Sequence, residues 1–180
     1  MSSFFGTIEE IWIGPEAKAE LRSVDTVRAV AGRGLEGDRY FLRRGSFDRA
    51  RWGDQSTSST GRAVTLIDRR ALEAARDRLE LEGFTGGEAR RNLVVSVEPT
   101  AGVDADLRDL VGATFRGAEV EFRGVRLAPP CRLLERIAGL DLRRGLKGVG
   151  GLRADVVRGG RIRVGDRLEL VNPGRGRVPG

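Results

Sequence analysis

The feature that most restricts the fold of this chain is its punctuation: short apolar or alternating runs recur along its length, each cut off within a few residues by glycine or proline. Thr7 to Ile13 ends at Gly14-Pro15, Val24 to Ala31 at Gly32-Arg33-Gly34, Asn92 to Val97 before Pro99, and Thr114 to Leu127 before Pro129-Pro130. Glycine supplies turns and proline removes a ladder donor, so runs bounded this way suit strands better than helices. Many short strands with few helices predict a mainly β protein with peripheral helices, its sheet closed or folded over into a β-barrel.

Individual runs carry more detail. Ala63 to Ile67 reads as a strand entering a helix with Asp68 as N-cap, Leu72, Ala75 and Leu79 on one face, and Gly83 as its stop. The valine-rich Asn92 to Val97 reads as a buried strand, and Thr114 to Leu127 as two strands joined by a tight turn near Gly117-Ala118. After Cys131, Leu133, Leu134 and Ile137 follow a helical spacing up to Gly139, so Cys131 falls where a strand gives way to a helix. Gly150 to Val157, Arg161 to Val164 and Arg167 to Val171 predict a meander turning at Gly159-Gly160 and Gly165-Asp166, the latter fully explained as a two-residue hairpin. The polar stretch Arg43 to Gly61, with Phe47 and Trp52 as its main apolar residues, predicts a long mobile loop that is either a lid or a tolerated insertion. With 180 residues, the chain suits one barrel domain over 1–171 and a flexible C-terminal tail over 172–180.

Composition narrows the chemistry. No apolar run approaches the roughly 18 residues of a membrane span, and Met1 to Phe5 lacks the character of a secretion signal, so a cytoplasmic protein without membrane partners is expected. One cysteine closes no internal disulfide. With no histidine, Ser-His-Asp, Cys-His and HExxH schemes are excluded, and a soft metal is expected to arrive already carried by a cofactor. Of 32 basic residues only Lys18 and Lys147 are lysine, leaving 30 arginines and a net charge of +6. Paired with 26 acids, this excess reads first as solvated surface, and second as recognition of a phosphate or carboxylate by planar guanidinium groups. Nucleic acid is the minority reading, since aromatic residues make up only 6% and no dense basic block interleaves with stacking side chains.

Four stretches could carry chemistry. A free cysteine is commonly an inert buried side chain, but Cys131 is placed at a helix start next to Arg132, where a thiolate is favoured, and Pro129-Pro130 stiffen its approach. Arg90-Arg91-Asn92 precedes a buried strand, where its guanidinium groups and amide face either the mouth of a barrel or solvent. Gly34-Leu35-Glu36-Gly37-Asp38-Arg39 combines glycine turns with a charged pair, either to admit a ligand or to close a plain turn through Asp38 and Arg39. Gly150-Gly151-Leu152-Arg153-Ala154 repeats that arrangement on the way into a strand.

The ordered set GLEGDRYF (34–41), VTLIDRRAL (64–72), RRNLVV (90–95), LVGATFRGAEVEF (110–122), PPC (129–131), GGLRADVV (150–157) and IRVGDRLEL (162–170) resembles the MOSC family, named for the C-terminal domain of molybdenum cofactor sulfurase. The resemblance implies a MOSC-like β-barrel, of the stand-alone bacterial type, that binds the pyranopterin form of molybdenum cofactor (molybdopterin). It implies that Cys131 ligates molybdenum or carries sulfur as a persulfide, with Arg91, Asn92 and Arg153 as the best-matching donors to phosphate and pterin, joined by Asp38, Arg39 and Arg90. The activities it implies are sulfur handling or reduction of N-hydroxylated compounds, with an external sulfur donor or electron-transfer protein as partner. A non-catalytic carrier or storage module is the alternative. Many relatives carry a histidine before the double glycine, where this chain has Lys147-Gly148-Val149-Gly150-Gly151.

Overall fold

A computed structural model describes residues 3–44, 61, 63–98 and 106–174. In it the punctuated runs become β1 (Ser3–Ile13), β2 (Arg22–Val24), β3 (Thr26–Val30), β4 (Gly34–Leu35), β5 (Val64–Asp68), α1 (Arg69–Leu79), β6 (Leu93–Val97), β7 (Thr114–Arg116), β8 (Glu121–Leu127), α2 (Arg132–Ala138), α3 (Leu142–Gly145), β9 (Leu152–Arg158), β10 (Gly160–Arg163) and β11 (Arg167–Asn172). Seven strands close a ring in the order β1-β11-β7-β8-β9-β5-β6 and back to β1. Closure removes the exposed edges that an open sheet would present. It depends on β1, whose start pairs with β11 and β6 and whose end pairs with β6 and β2. A smaller sheet runs β10-β3-β4.

Strand alternation fills the barrel with one apolar cluster. Phe115 stacks on Phe122 at 5.3 Å between ring centroids and meets Phe5 edge-on at 5.8 Å, with Ile8, Leu66 and Leu152 buried in the same cluster. A second cluster, including Ile67, Leu72, Ala75, Val94, Leu142 and Leu146, joins α1 and α3 to the outer face of β5 and β6. These two strands are parallel and joined through α1, as a crossover requires, and burial on both faces explains why 92–97 reads as a near-continuous apolar run. Asp68 caps α1 as expected, its carboxylate accepting from the Arg70 amide.

Several expectations need correction. The helix α1 stops at Leu79, short of Gly83: Glu80 turns left-handed at φ 56°, and the Leu81 amide bonds back to the Arg76 carbonyl at 3.0 Å, letting Leu79 and Leu81 pack into the second cluster. The Val24 to Ala31 run is split at Asp25, because β2 pairs with β1 while β3 pairs with β10 in the other sheet. The predicted meander does not form. Both edges of β9 are taken by β5 and β8, so β10 crosses to β3, and β11 fits between β7 and β1. Gly165-Asp166 therefore turns without a hairpin. Its exposed backbone groups pair with Ile8 instead, through Gly165 N–H to the Ile8 carbonyl at 2.7 Å and Ile8 N–H to the Asp166 carbonyl at 2.9 Å. Asn172, assigned to the tail, belongs to β11, and 175–180 lie outside the described residues. So does the predicted loop, apart from Arg43, Arg44 and Gly61. No described helix is long and apolar enough to cross a membrane.

Candidate functional site

The site is built where β8 leaves the barrel beside the start of β9. There the Ala128 amide donates to the Gly151 carbonyl at 2.8 Å. Gly151 has φ +102°, and a Cβ on it would collide with the Leu66 carbonyl of β5; one on Gly150 would lie 2.9 Å from the Pro130 ring. The double glycine thus serves close approach of backbones, which fixes Pro129-Pro130 against the strand ends. Cys131 follows in extended conformation (φ −138°, ψ 165°) and opens α2, the Glu135 amide donating to its carbonyl at 3.1 Å. Its thiol is free, half-buried, and makes no capping bond to the helix.

Arg90 and Arg91 enter the same corner from the turn before β6. Arg90 adopts a left-handed φ of 55° and donates to the Ala17 and Ala19 carbonyls at 2.6 and 2.8 Å. Arg91 donates to the carbonyls of Gly150 at 2.7 Å, Ala128 at 2.7 Å and Ala89 at 3.1 Å, so it clamps the Cys131 corner onto the barrel. Carbonyls solvate a guanidinium without neutralising it. Burial, followed by repulsion from Arg153, brings Arg91 down to about 10; burial and then repulsion from Arg39 do the same to Arg90. Both remain charged at neutral pH. Asn92 is fully buried and is spent on the fold: its carbonyl oxygen accepts from the Thr65 amide and hydroxyl, and its Nδ2 donates to the Trp12 carbonyl at 3.0 Å.

The third wall is the turn after β4. Asp38 is fully buried and accepts from the Gly14 amide at 3.1 Å, the Tyr40 amide at 3.2 Å and Arg39 at 3.0 Å, which bolts the turn to the end of β1. Arg39 lies over the Tyr40 ring, 4.5 Å from its centroid, and reaches the Arg90 carbonyl. Tyr40 and Arg153 of β9 line the same cavity. Burial pushes the Tyr40 phenol up, but the positive charges of Arg39, Arg153 and Arg91 together pull it below its ordinary 10.0.

These elements border a half-open cavity lined by Arg39, Tyr40, Arg90, Arg91, Cys131 and Arg153, with Ala17, Pro129, Leu133, Leu134 and Ile137 as its apolar part. Four of the described lining residues are arginines and none is acidic. The structure therefore brings together Cys131, Arg39, Arg90, Arg91 and Arg153, and leaves Asp38 and Asn92 behind the wall as supports. Tyr40 was missed by sequence reasoning. Its available signal was position: it is the only tyrosine in the chain and directly follows Asp38-Arg39. Among the described residues no three His, Cys, Asp or Glu side chains cluster to hold a metal ion, so a metal at Cys131 would need ligands brought by a cofactor.

A family model described as MOSC domain matches residues 53–169. No curated protein matches the chain significantly. Among solved structures, the YuaD protein of Bacillus subtilis superposes with a TM-score of 0.71 at 17% identity, covering 94% of this chain and 98% of that one. YiiM from Escherichia coli gives 0.62 at 20% identity over 99% of this chain and 73% of its own, and YiiM from Geobacillus stearothermophilus 0.66 at 16% over 95% and 77%. At these identities the likeness is one of fold.

Proposed function

The chain belongs to the MOSC domain family, and on that premise we propose that it binds the pyranopterin form of molybdenum cofactor in the cavity beside Cys131, as a small reductase of N-hydroxylated compounds or a handler of the cofactor's sulfur. The observation that carries this reading is the convergence of a half-buried free thiol with four guanidinium groups on a wall that has no carboxylate. The donor set fits the group. A thiol sulfur suits a soft metal or a persulfide, and Arg39, Arg90, Arg91 and Arg153 suit an anionic phosphate, which would offset the unfavourable burial of Arg91. Leu133, Leu134 and Ile137 give the cavity an apolar side on which a planar ring system can rest. When bound, the cofactor would supply the redox-active or sulfur-bearing centre; the protein's part is to hold it and to exclude alternatives.

Electrons or sulfur then come from an external electron-transfer protein or sulfur donor, since one cysteine builds no iron-sulfur module. The lack of any histidine favours a second reading, a carrier or storage module that uses the same cavity without turnover. The test is molybdenum and pterin content of protein made in cofactor-competent and cofactor-deficient cells. Metal retained by the wild type and lost in Cys131→Ser supports the sulfur as ligand; equal, negligible metal in both cell types would overturn cofactor binding. Turnover of a hydroxylamine with an artificial reductant separates enzyme from carrier.

A further inference from the structure

A reductase in this cavity needs a proton source, and the chain has no histidine to be one. We propose that Tyr40 is the acid–base residue of the cavity, exchanging a proton at its phenolic oxygen with the substrate group held beside Cys131; the inference rests on the N-hydroxylated-substrate reading above. The geometry that carries it is the position of the phenol. Tyr40 lines the same cavity as Cys131 and Arg153, with the Arg39 guanidinium 4.5 Å from its ring centroid.

The groups that face it come from every wall. Arg39 and Asp38 lie on its own turn, the latter holding the Tyr40 amide; Arg90 and Arg91 come from the turn before β6, Arg153 from β9, and Cys131 from the start of α2. Four cations against one carboxylate favour the phenolate, so Tyr40 gives up a proton more readily than an ordinary phenol and its conjugate base is held in place. Both properties are what a general acid that must be regenerated requires.

The step balances without further participants. Conversion of R–NHOH to R–NH2 and water consumes two electrons and two protons and breaks the N–O bond. The electrons come from the external electron-transfer protein. One proton passes from Tyr40 Oη to the departing oxygen, the other comes from water, and the phenolate, stabilised by the Arg39, Arg153 and Arg91 charges, recovers its proton from solvent.

Because Tyr40 is the only tyrosine, ultraviolet absorbance of tyrosinate reports on it alone in cofactor-free protein. A titration midpoint below 10.0 that rises in Arg153→Met is expected, and Tyr40→Phe, which keeps the ring under Arg39, abolishes the signal. In molybdenum-loaded protein, Tyr40→Phe is expected to retain the metal, to lower hydroxylamine turnover roughly 100-fold, and to lose the fall in rate that accompanies deprotonation of the phenol. A midpoint at or above 10.0, a midpoint indifferent to Arg153→Met, or a Tyr40→Phe protein with wild-type rate and pH profile would each overturn the assignment. Wild-type protein without molybdenum would overturn the cofactor reading instead, and Tyr40 is then judged by the titration alone.

Discussion

Burial without a carboxylate works against a charged guanidinium, and in Arg91 it brings the pKa down to about 10. The clamp on Gly150, Ala128 and Ala89 opposes that effect, because without it three carbonyls at the Cys131 corner lose a partner. Arg91→Lys keeps the charge but cannot span all three, so we expect its unfolding free energy in urea to fall by about 2 kcal/mol; an unchanged midpoint would show that the fork is dispensable. Tyr40 gives a prediction with a definite sign. Its folded pKa lies below the unfolded 10.0, so the folded protein releases the phenolic proton first. The resulting stabilisation is absent below the folded pKa, grows as pH rises toward 10.0, and is complete above it. The gap in unfolding free energy between wild type and Tyr40→Phe should therefore widen over that window, and a gap that stays flat would contradict the charge environment described. At this scale the sequence exposed Cys131, Arg91 and Arg153 through residue type and motif. It did not distinguish Asn92 as a strand tie from Asn92 as a ligand donor, because an amide bonded to Thr65 and Trp12 has the same chemistry as one bonded to a guest.

At the scale of elements, the glycines before β9 divide into those needed for conformation and those needed for space. Gly148 has φ +78° with nothing within 4 Å of a prospective Cβ, whereas Gly151 combines φ +102° with the Leu66 carbonyl in the way. Gly148→Ala should lower stability by about 1 kcal/mol, from backbone strain alone. Gly151→Ala should lower it by roughly 3 kcal/mol or more, since β5 and β9 must also separate; equal thermal midpoints for the two variants would rule out that account. The same contrast explains what was legible. Periodicity and capping revealed β5, α1, β6 and α2 because their signals are local: Asp68 at its cap, valines in 93–97, and a helical spacing after Cys131. Pairing partners are not local. Nothing within 150–171 indicates that both edges of β9 are already taken, so three successive runs read as a meander although β10 goes to β3.

For the whole molecule, the question is whether a net charge of +6 makes a diffuse basic surface or one concentrated site. Much of the exposed arginine is matched locally, as in Arg116 with Glu169 at 3.0 Å, Arg143 with Glu135 at 2.8 Å and Arg163 with Glu119 at 3.1 Å. Such pairs add little stability, but they cancel the field that would attract a polyanion. Arg39 is paired with Asp38 behind the wall, but no carboxylate lines the cavity beside the four arginines, so net positive charge gathers there in a partly buried setting that weakens screening. Small oxyanions and long polyanions should consequently behave differently. Inorganic phosphate or molybdate should raise the thermal midpoint saturably, as expected for binding to the folded state alone, and the increment should shrink in Arg153→Met. Duplex DNA should bind weakly at moderate salt, with an affinity that Arg153→Met leaves nearly unchanged, because the cavity cannot admit a duplex. Tight, steeply salt-dependent DNA binding together with no response to phosphate would reverse this assignment and make the arginine surface, rather than the Cys131 cavity, the place where the protein meets its partner.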